Sequence, residues 1–358
     1  MDPNQKFSPY TAKPFEIPLS VTLARKAAQG SPVQMPPVTA PSLEGLSITV
    51  PAPEPISAQQ IQERFQDLAR AYATERMRLR TEPIAWGDEV LLNLVGYSNG
   101  RLIPFSVRND MWTPLVPAPW LPGLYEQLVG HLPGETVLAD ILLSKDYPVE
   151  ALRGQPARFA VQIQAAREVK FPDPSSPEFL KAFGRGDTLE AATRSVLKEL
   201  EQETVQLLQL RAQEMVLAEV AARTQVDIPE ALVDEEVRRR WGSSEGRAVT
   251  ELKFTEQQQE ESLQTWLSDE PTRAAARQRL RIALALGAIC ARDGLTLSPA
   301  KVQEVLQIEA KALGVPLDKA AASLREEPHQ YARIDQAAWH LLAVEYVMSK
   351  AQVRFAGA

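Results

Sequence analysis

The sequence predicts an α+β multidomain protein: a small antiparallel β-sheet domain with one short helix, then an extended all-α body with helical arms. Three observations lead there. Proline crowds the start of the chain, with 11 of its 28 copies in the first 57 residues. From Trp86 to Ile163 the apolar residues recur with the period of strands, and after Phe171-Pro172-Asp173-Pro174 they recur with that of helices.

Taken in order, residues 1–42 read as a Pro-rich, extended or disordered arm with scattered hydrophobes (Phe7, Tyr10, Phe15, Ile17). Proline lacks the amide donor and restricts the residue before it, so Pro36-Pro37 and Pro51-Ala52-Pro53 cannot run as helix. Leu46-Ser47-Ile48-Thr49-Val50 alternates as a short strand does. A helix over 58–80 follows, with Ser57 as its N-cap and Ile61, Phe65, Leu68 and Tyr72 at helical spacing.

The strand-like part contains Val90–Val95, which ends at Gly96, and a hairpin turn at Ser98-Asn99-Gly100. Leu124–Val129 reads as its short helix. Glu135–Leu143 and Ala157–Ile163 are further strands. Downstream the spacing predicts a long helix over 188–223, about 54 Å at 1.5 Å per residue. Helices follow over 229–241, 255–267, 271–292, 299–313, 317–325 and 330–350, punctuated by Gly294, Gly314 and Pro328.

A formal charge of −7 argues against nucleic-acid and anionic-membrane partners. No apolar run reaches the ~18–20 residues that span a bilayer. The start, Met1-Asp2-Pro3-Asn4, lacks the apolar stretch of a secretory signal. A single cysteine, Cys290, excludes an internal disulfide framework and a thiolate zinc cluster. Together these place the chain in a reducing compartment, the cytoplasm.

Enzyme constellations are missing: there is no Gly-rich phosphate loop, HExxH or nucleophile elbow, and no metal or cofactor is expected. His131, His329 and His340 read as ordinary surface or half-buried histidines, and Cys290 as a small core residue. The acidic pairs Glu235-Glu236, Glu260-Glu261 and Glu326-Glu327 read as solvated helix faces. Gly184-Arg185-Gly186-Asp187 reads as one helix stopping and another starting.

The β-rich segment carries Gly87-Asp88-Glu89-Val90, Gly96, Asn99-Gly100, Leu121-Pro122-Gly123-Leu124, Gly134-Glu135, Asp146-Tyr147 and Gly154 through Phe159, in that order. The series resembles an FKBP-type peptidyl-prolyl isomerase domain, specifically the version inserted in trigger factor. Lys170-Phe171-Pro172-Asp173, Glu178–Gly184, Asp187-Thr188-Leu189-Glu190 and Val226–Val237 resemble the C-terminal domain of that family. Leu43–Ile48 resembles its linker. The resemblance covers roughly residues 43–350. It implies a linker strand and helix over 43–83, an FKBP-like domain over 84–169 and a helical chaperone domain over 170–358.

The implied function is an ATP-independent chaperone that holds or helps to fold non-native chains, unfolded or nascent. Two alternatives are a working prolyl isomerase and a dedicated module for one partner. The family's ribosome-docking domain is replaced here by the Pro-rich arm, and ribosome docking is not expected.

In the family, aromatic side chains surround a substrate proline and favour its twisted imide without metal or nucleophile. Residue by residue, the resemblance implies a groove of Tyr147, Phe159, Leu124, Trp120, Leu121, Leu94 and Ile103 that takes proline-containing segments. The Leu121 backbone N–H is its donor to a substrate carbonyl. Three aromatic positions of the family are aliphatic here, at Leu94, Ile103 and Leu124, so the isomerase activity is expected to be weak or lost. In the helical part, Val205, Leu208, Met215 and Val220, or Trp241, Phe254, Trp266 and Leu267, are candidates for apolar surface that holds clients.

Overall fold

A computed structural model describes residues 36–103, 106–118, 121–147, 149, 152–312, 314–326 and 328–356; side chains of 323–333 are not included. The Pro-rich arm up to residue 35 and Trp120 therefore lie outside the described residues. The chain divides into two compact units, each built from separated segments.

One unit comprises Glu54–Gln206 and Val237–Arg273. Its centre is a six-stranded antiparallel sheet of β2 (Thr74–Met77), β3 (Glu89–Ser98), β4 (Arg101–Leu102), β5 (Arg108–Pro114), β6 (Thr136–Leu142) and β7 (Pro156–Lys170). The two long strands, β3 and β7, pair in the middle, from Glu89 opposite Arg167 to Tyr97 opposite Arg158. On the free side of β3 run β4 and β5; on the free side of β7 run β6 and β2.

Alternation decides which face is core. Val90, Leu92 and Leu94 of β3, Val137, Ala139 and Ile141 of β6 and Phe159, Val161 and Ile163 of β7 all point inward and are buried. Asn99 and Gly100, with φ of 51° and 75°, make the tight turn between β3 and β4. The expected short helix at Leu124–Val129 takes the form of successive turns, closed by Leu124 N–H to Leu121 O (3.1 Å) and Leu128 N–H to Tyr125 O (3.0 Å).

The helix predicted over 58–80 is shorter: α1 (Ala58–Ala69) starts in a capping box between Ser57 and Gln60 and gives way to a 3-10 turn at Arg70–Tyr72. Residues 74–77 are helix-compatible by propensity, but they pair with the far end of β7, and that pairing overrides local preference. The carboxylate of Glu89 accepts from Arg70 (2.5 and 2.8 Å) and Arg167 (2.9 and 2.5 Å), fixing the turn to the sheet. Phe65 of α1 packs on Phe179 and Phe183 of α2 (Pro177–Phe183), which are stacked at 5.0 Å. Gly184 ends α2 in the left-handed region, and Thr188 caps the next helix, so the Gly-Arg-Gly-Asp run is a stop and a start.

Helices α3 (Leu189–Ala222), α4 (Glu230–Ser243) and α7 (Glu270–Arg292) contribute residues to both units. Between the last two lie α5 (Glu245–Glu251) and α6 (Glu256–Ser268), the latter opened by a capping box of Thr255 and Gln258.

The second unit comprises Met1–Pro53, Leu207–Glu236 and Ala274–Ala358. Here β1 (Ser47–Val50) pairs in parallel with β8 (Gln352–Phe355), a strand the sequence did not suggest. Leu46, Ile48 and Val50 close a core with Val216 and Val220 of α3, Leu286 and Ile289 of α7, and Val347 of α10 (Pro328–Lys350). Cys290 packs against this core, and burial pushes its thiol pKa up. The guanidinium of Arg223 donates to the carbonyls of Ser42, Glu44 and Gly45, and that of Arg292 to Pro41, anchoring the chain ahead of β1. Helices α8 (Pro299–Ala312), α9 (Leu317–Glu326) and α10 pack on one another, and α8 and α10 share a core of Val305, Ile334 and Ala337. One acidic pair departs from expectation: Glu236 is fully buried.

Candidate functional site

Six of the seven expected groove residues meet in one place. Leu94 from β3, Ile103 after β4, Leu124 from the turn run and Phe159 from β7 lie in a single apolar cluster with Tyr147, and Leu121 packs against it. The seventh, Trp120, lies outside the described residues. Four of the six are closed to solvent, and Tyr147 keeps only 9% of its surface exposed.

Local bonding explains this placement. Ser106 Oγ accepts from the Gly96 N–H (3.1 Å) and donates to the Gly96 carbonyl (3.2 Å), which also accepts from the Ile103 N–H (2.8 Å). These bonds clamp Ile103 and Ser106 onto β3, with Ile103 in the apolar cluster. The Phe159 ring lies directly on Gly96, where a Cβ would overlap it. Glycine is required there by close approach rather than by φ. The loop bearing Tyr147 is held by Arg153 Nε, which donates to the Tyr147 carbonyl at 2.9 Å.

At the half-buried edge of the cluster Arg108 stands with Tyr125 and Tyr147, within electrostatic reach of both. Burial lowers the Arg108 pKa below the usual arginine value, and the negative charge of Glu245 opposes that. Burial raises both tyrosine hydroxyls, which therefore stay protonated at neutral pH. The Leu121 N–H, expected to serve a substrate carbonyl, already donates to the Ala118 carbonyl at 3.1 Å. The cluster is a closed apolar core, and the guanidinium and two phenols at its edge are groups that can hydrogen-bond carbonyls. Among its described residues no nucleophile or base is poised.

Arg108, Tyr125 and Glu245 are absent from the sequence reading. Nothing in their spacing marks them: Glu245 lies over a hundred residues downstream, and folding alone brings it near. An open depression of about 620 Å³, lined by Tyr97, Asn99, Leu142, Pro156 and Arg158, contains none of the expected groove residues. Among the described residues no three His, Cys, Asp or Glu side chains are placed to hold a metal ion.

The candidate client surface is redistributed. Val220 and Trp266 are buried, Leu208 and Met215 pack against a core, and Trp241 and Phe254 pack in a separate cluster. On α3 the exposed large apolar residues are Leu189 at its start, at 40%, and Val205, Leu207 and Leu210, at 55%, 49% and 50%. At 3.6 residues per turn Leu207 and Leu210 share one side of the helix and Val205 lies on the other.

Comparison with known proteins gives one family throughout. Residues 188–349 match the family of the bacterial trigger factor C-terminus. The chain is 26% identical over 332 residues to the trigger factor of Pseudoalteromonas atlantica, covering 89% of this chain and 71% of that one. It is 27% identical over 284 residues to that of Sphingopyxis alaskensis, covering 77% and 50%. A solved structure of the trigger factor chaperone, described for promiscuous substrate recognition in folding and assembly, covers 88% of this chain and 72% of its own at 16% identity. Its TM-score is 0.34.

Proposed function

We propose that this trigger factor-like chain is an ATP-independent molecular chaperone that holds non-native polypeptides. The observation that carries the reading is the pair of half-exposed Leu207 and Leu210, three residues apart on α3, inside the segment that matches the trigger factor C-terminus. Two large aliphatic side chains on one side of a long helix offer apolar contact without shape selectivity, as unfolded clients of varied sequence require. The compartment we assign is the cytoplasm, where nascent and unfolded chains occur; among the described residues no helix is long and apolar enough to cross a membrane.

The sheet domain, in this reading, takes proline-containing segments with weak or lost isomerisation. Support comes from the aliphatic residues at Leu94, Ile103 and Leu124 and from the Leu121 N–H, already bonded to Ala118. Binding needs only apolar burial, whereas acceleration needs contacts that strengthen as the imide twists. The test is dilution of chemically denatured clients into buffer without nucleotide. Stoichiometric protein should suppress the aggregation of several unrelated clients. Unchanged aggregation with all of them refutes the proposal.

A further inference from the structure

The chain ahead of β1 is tied down at the end of α7. The Arg292 guanidinium donates to the Pro41 carbonyl at 2.9 Å, and Ala40 packs against the core that β1 closes. Just past Arg292 the backbone turns back at Gly294, with φ of 63°, and the Leu295 N–H donates to the Cys290 carbonyl at 3.0 Å. This cap holds the loop between α7 and α8 against the same helix end.

That loop walls an open recess of about 410 Å³, lined by Leu295, Leu297, Pro299, Val302, Asp335 and Trp339. Leu297 and Val302 pack with Val305 and Ile334, so the floor is apolar and fixed. Asp335 and Trp339 stand four residues apart on α10, on one side of that helix. A carboxylate beside an indole suits a cation. The neighbourhood is acidic as well: Lys301, next to Val302, is answered by two carboxylates, Glu304 and Glu345, at 2.8 Å each. The recess therefore fits an aliphatic side chain with a cation close behind it.

Residues 1–35, outside the described residues, contain that combination. They carry Lys6, Lys13, Arg25 and Lys26 against Asp2 and Glu16, a charge of +2 in a chain of −7, which leaves −9 on the remainder. Leu19, Val21 and Leu23 alternate and lead straight into Ala24-Arg25-Lys26. At Lys6-Phe7 and Lys13-Pro14-Phe15 an apolar residue meets one cation only, and both lie farther from Pro41. Length allows the contact. Lys26 precedes Pro41 by 15 residues, a reach of up to about 50 Å, whereas Leu295 lies within about 11 Å of Arg292, which holds Pro41.

We propose that Leu23-Ala24-Arg25-Lys26 docks into this recess of its own chain, with Leu23 against Leu297 and Val302 and a cation between Asp335 and Trp339. A tether of this length gives an effective concentration on the order of millimolar, so a weak contact suffices to close it. The docking brings the start of the chain back onto the unit that anchors it. It goes beyond the chaperone reading, which rests on Leu207 and Leu210 of α3, and either can fail without the other.

The experiment places a diazirine analogue of leucine at position 23 of the full chain, irradiates a mixture of light and heavy isotope-labelled protein, and maps the adducts by mass spectrometry. The expected adducts join position 23 to residues 295–302 or 335–339 within one chain. Arg25→Glu with Lys26→Glu should lower their yield about fivefold and Asp335→Asn about twofold, the span of exposed ion pairs. Circular dichroism checks that Asp335→Asn remains folded; if it does not, the Arg25→Glu, Lys26→Glu protein decides. Adducts scattered over the chain, adducts formed between chains only, or a yield that charge reversal leaves unchanged overturns the proposal. So does a stronger recess adduct from the same probe at Phe7 or Phe15.

Discussion

The network around Glu89 allows the sharpest energetic prediction. Glu89 holds Arg70 and Arg167 through four hydrogen bonds, and the three side chains are only 15–18% exposed. The perturbation is Glu89→Gln, which keeps the shape and removes the charge. Breaking a buried ion pair from one side costs about 3–5 kcal/mol. Glu75 still accepts from both arginines, and one amide oxygen remains, so the expected loss is about 2–3 kcal/mol. In a body of 150–250 residues each kcal/mol moves the midpoint by about 2–4 °C, which predicts a fall of roughly 5–10 °C.

The same residue sets a pH signature. Burial alone would raise the Glu89 pKa, but the hydrogen bonds and charges of Arg70 and Arg167 outweigh it, and the carboxyl sits below its ordinary value of 4.5. Its stabilisation is complete above that value and is lost as pH falls through the lower pKa of the folded state. Urea denaturation of wild type and variant from pH 7 to pH 3 is the assay. The gap should be full at neutral pH and close in acid. A Glu89→Gln variant within 0.5 kcal/mol of wild type at pH 7 would refute the reasoning.

Three other outcomes are expected. Gly96→Ala should cost about 1–3 kcal/mol in denaturant titration, because its methyl overlaps the Phe159 ring; a neutral result would mean that the ring moves aside freely. Burial lowers the His340 pKa below 6.5, and its Nδ1 finds no partner. Stability should therefore fall as pH drops below 6.5 through the depressed value, and His340→Leu should flatten that slope in thermal melts at pH 7.5 and 5.5. In a proline tetrapeptide assay the full chain should show marginal turnover, since each ~1.4 kcal/mol of lost transition-state contact costs about tenfold in rate; rates of an efficient isomerase would contradict this.

The helices were the most legible part of the sequence. Their apolar spacing and their caps are local, and the ends of α3, α6 and α8 fall within about two residues of the expected positions. Strands β2, β5 and β8 were not legible. Thr74–Met77, Arg108–Pro114 and Gln352–Phe355 are polar or mixed segments that become strands only because β7, β3 and β1 offer them an edge. The helix expected to run to residue 80 was overestimated for the same reason. At the candidate site, Leu94, Ile103, Leu124 and Phe159 came together because a fixed strand order places them on one face. Val220 and Trp266 illustrate the limit of periodicity, which marks an apolar face without saying whether a neighbour covers it.

The central claim, that α3 offers its exposed apolar residues to unfolded clients, is tested most directly by site-specific photo-crosslinking. A photoreactive residue is placed in turn at Val205, Leu207 and Leu210 and, as a control on the same helix, at the exposed Arg194. Each protein is irradiated with a denatured client in the absence of nucleotide. The account predicts strong client adducts at Leu207 and Leu210 and few at Arg194. Equal adducts at all four positions, or none at the aliphatic ones, would contradict it.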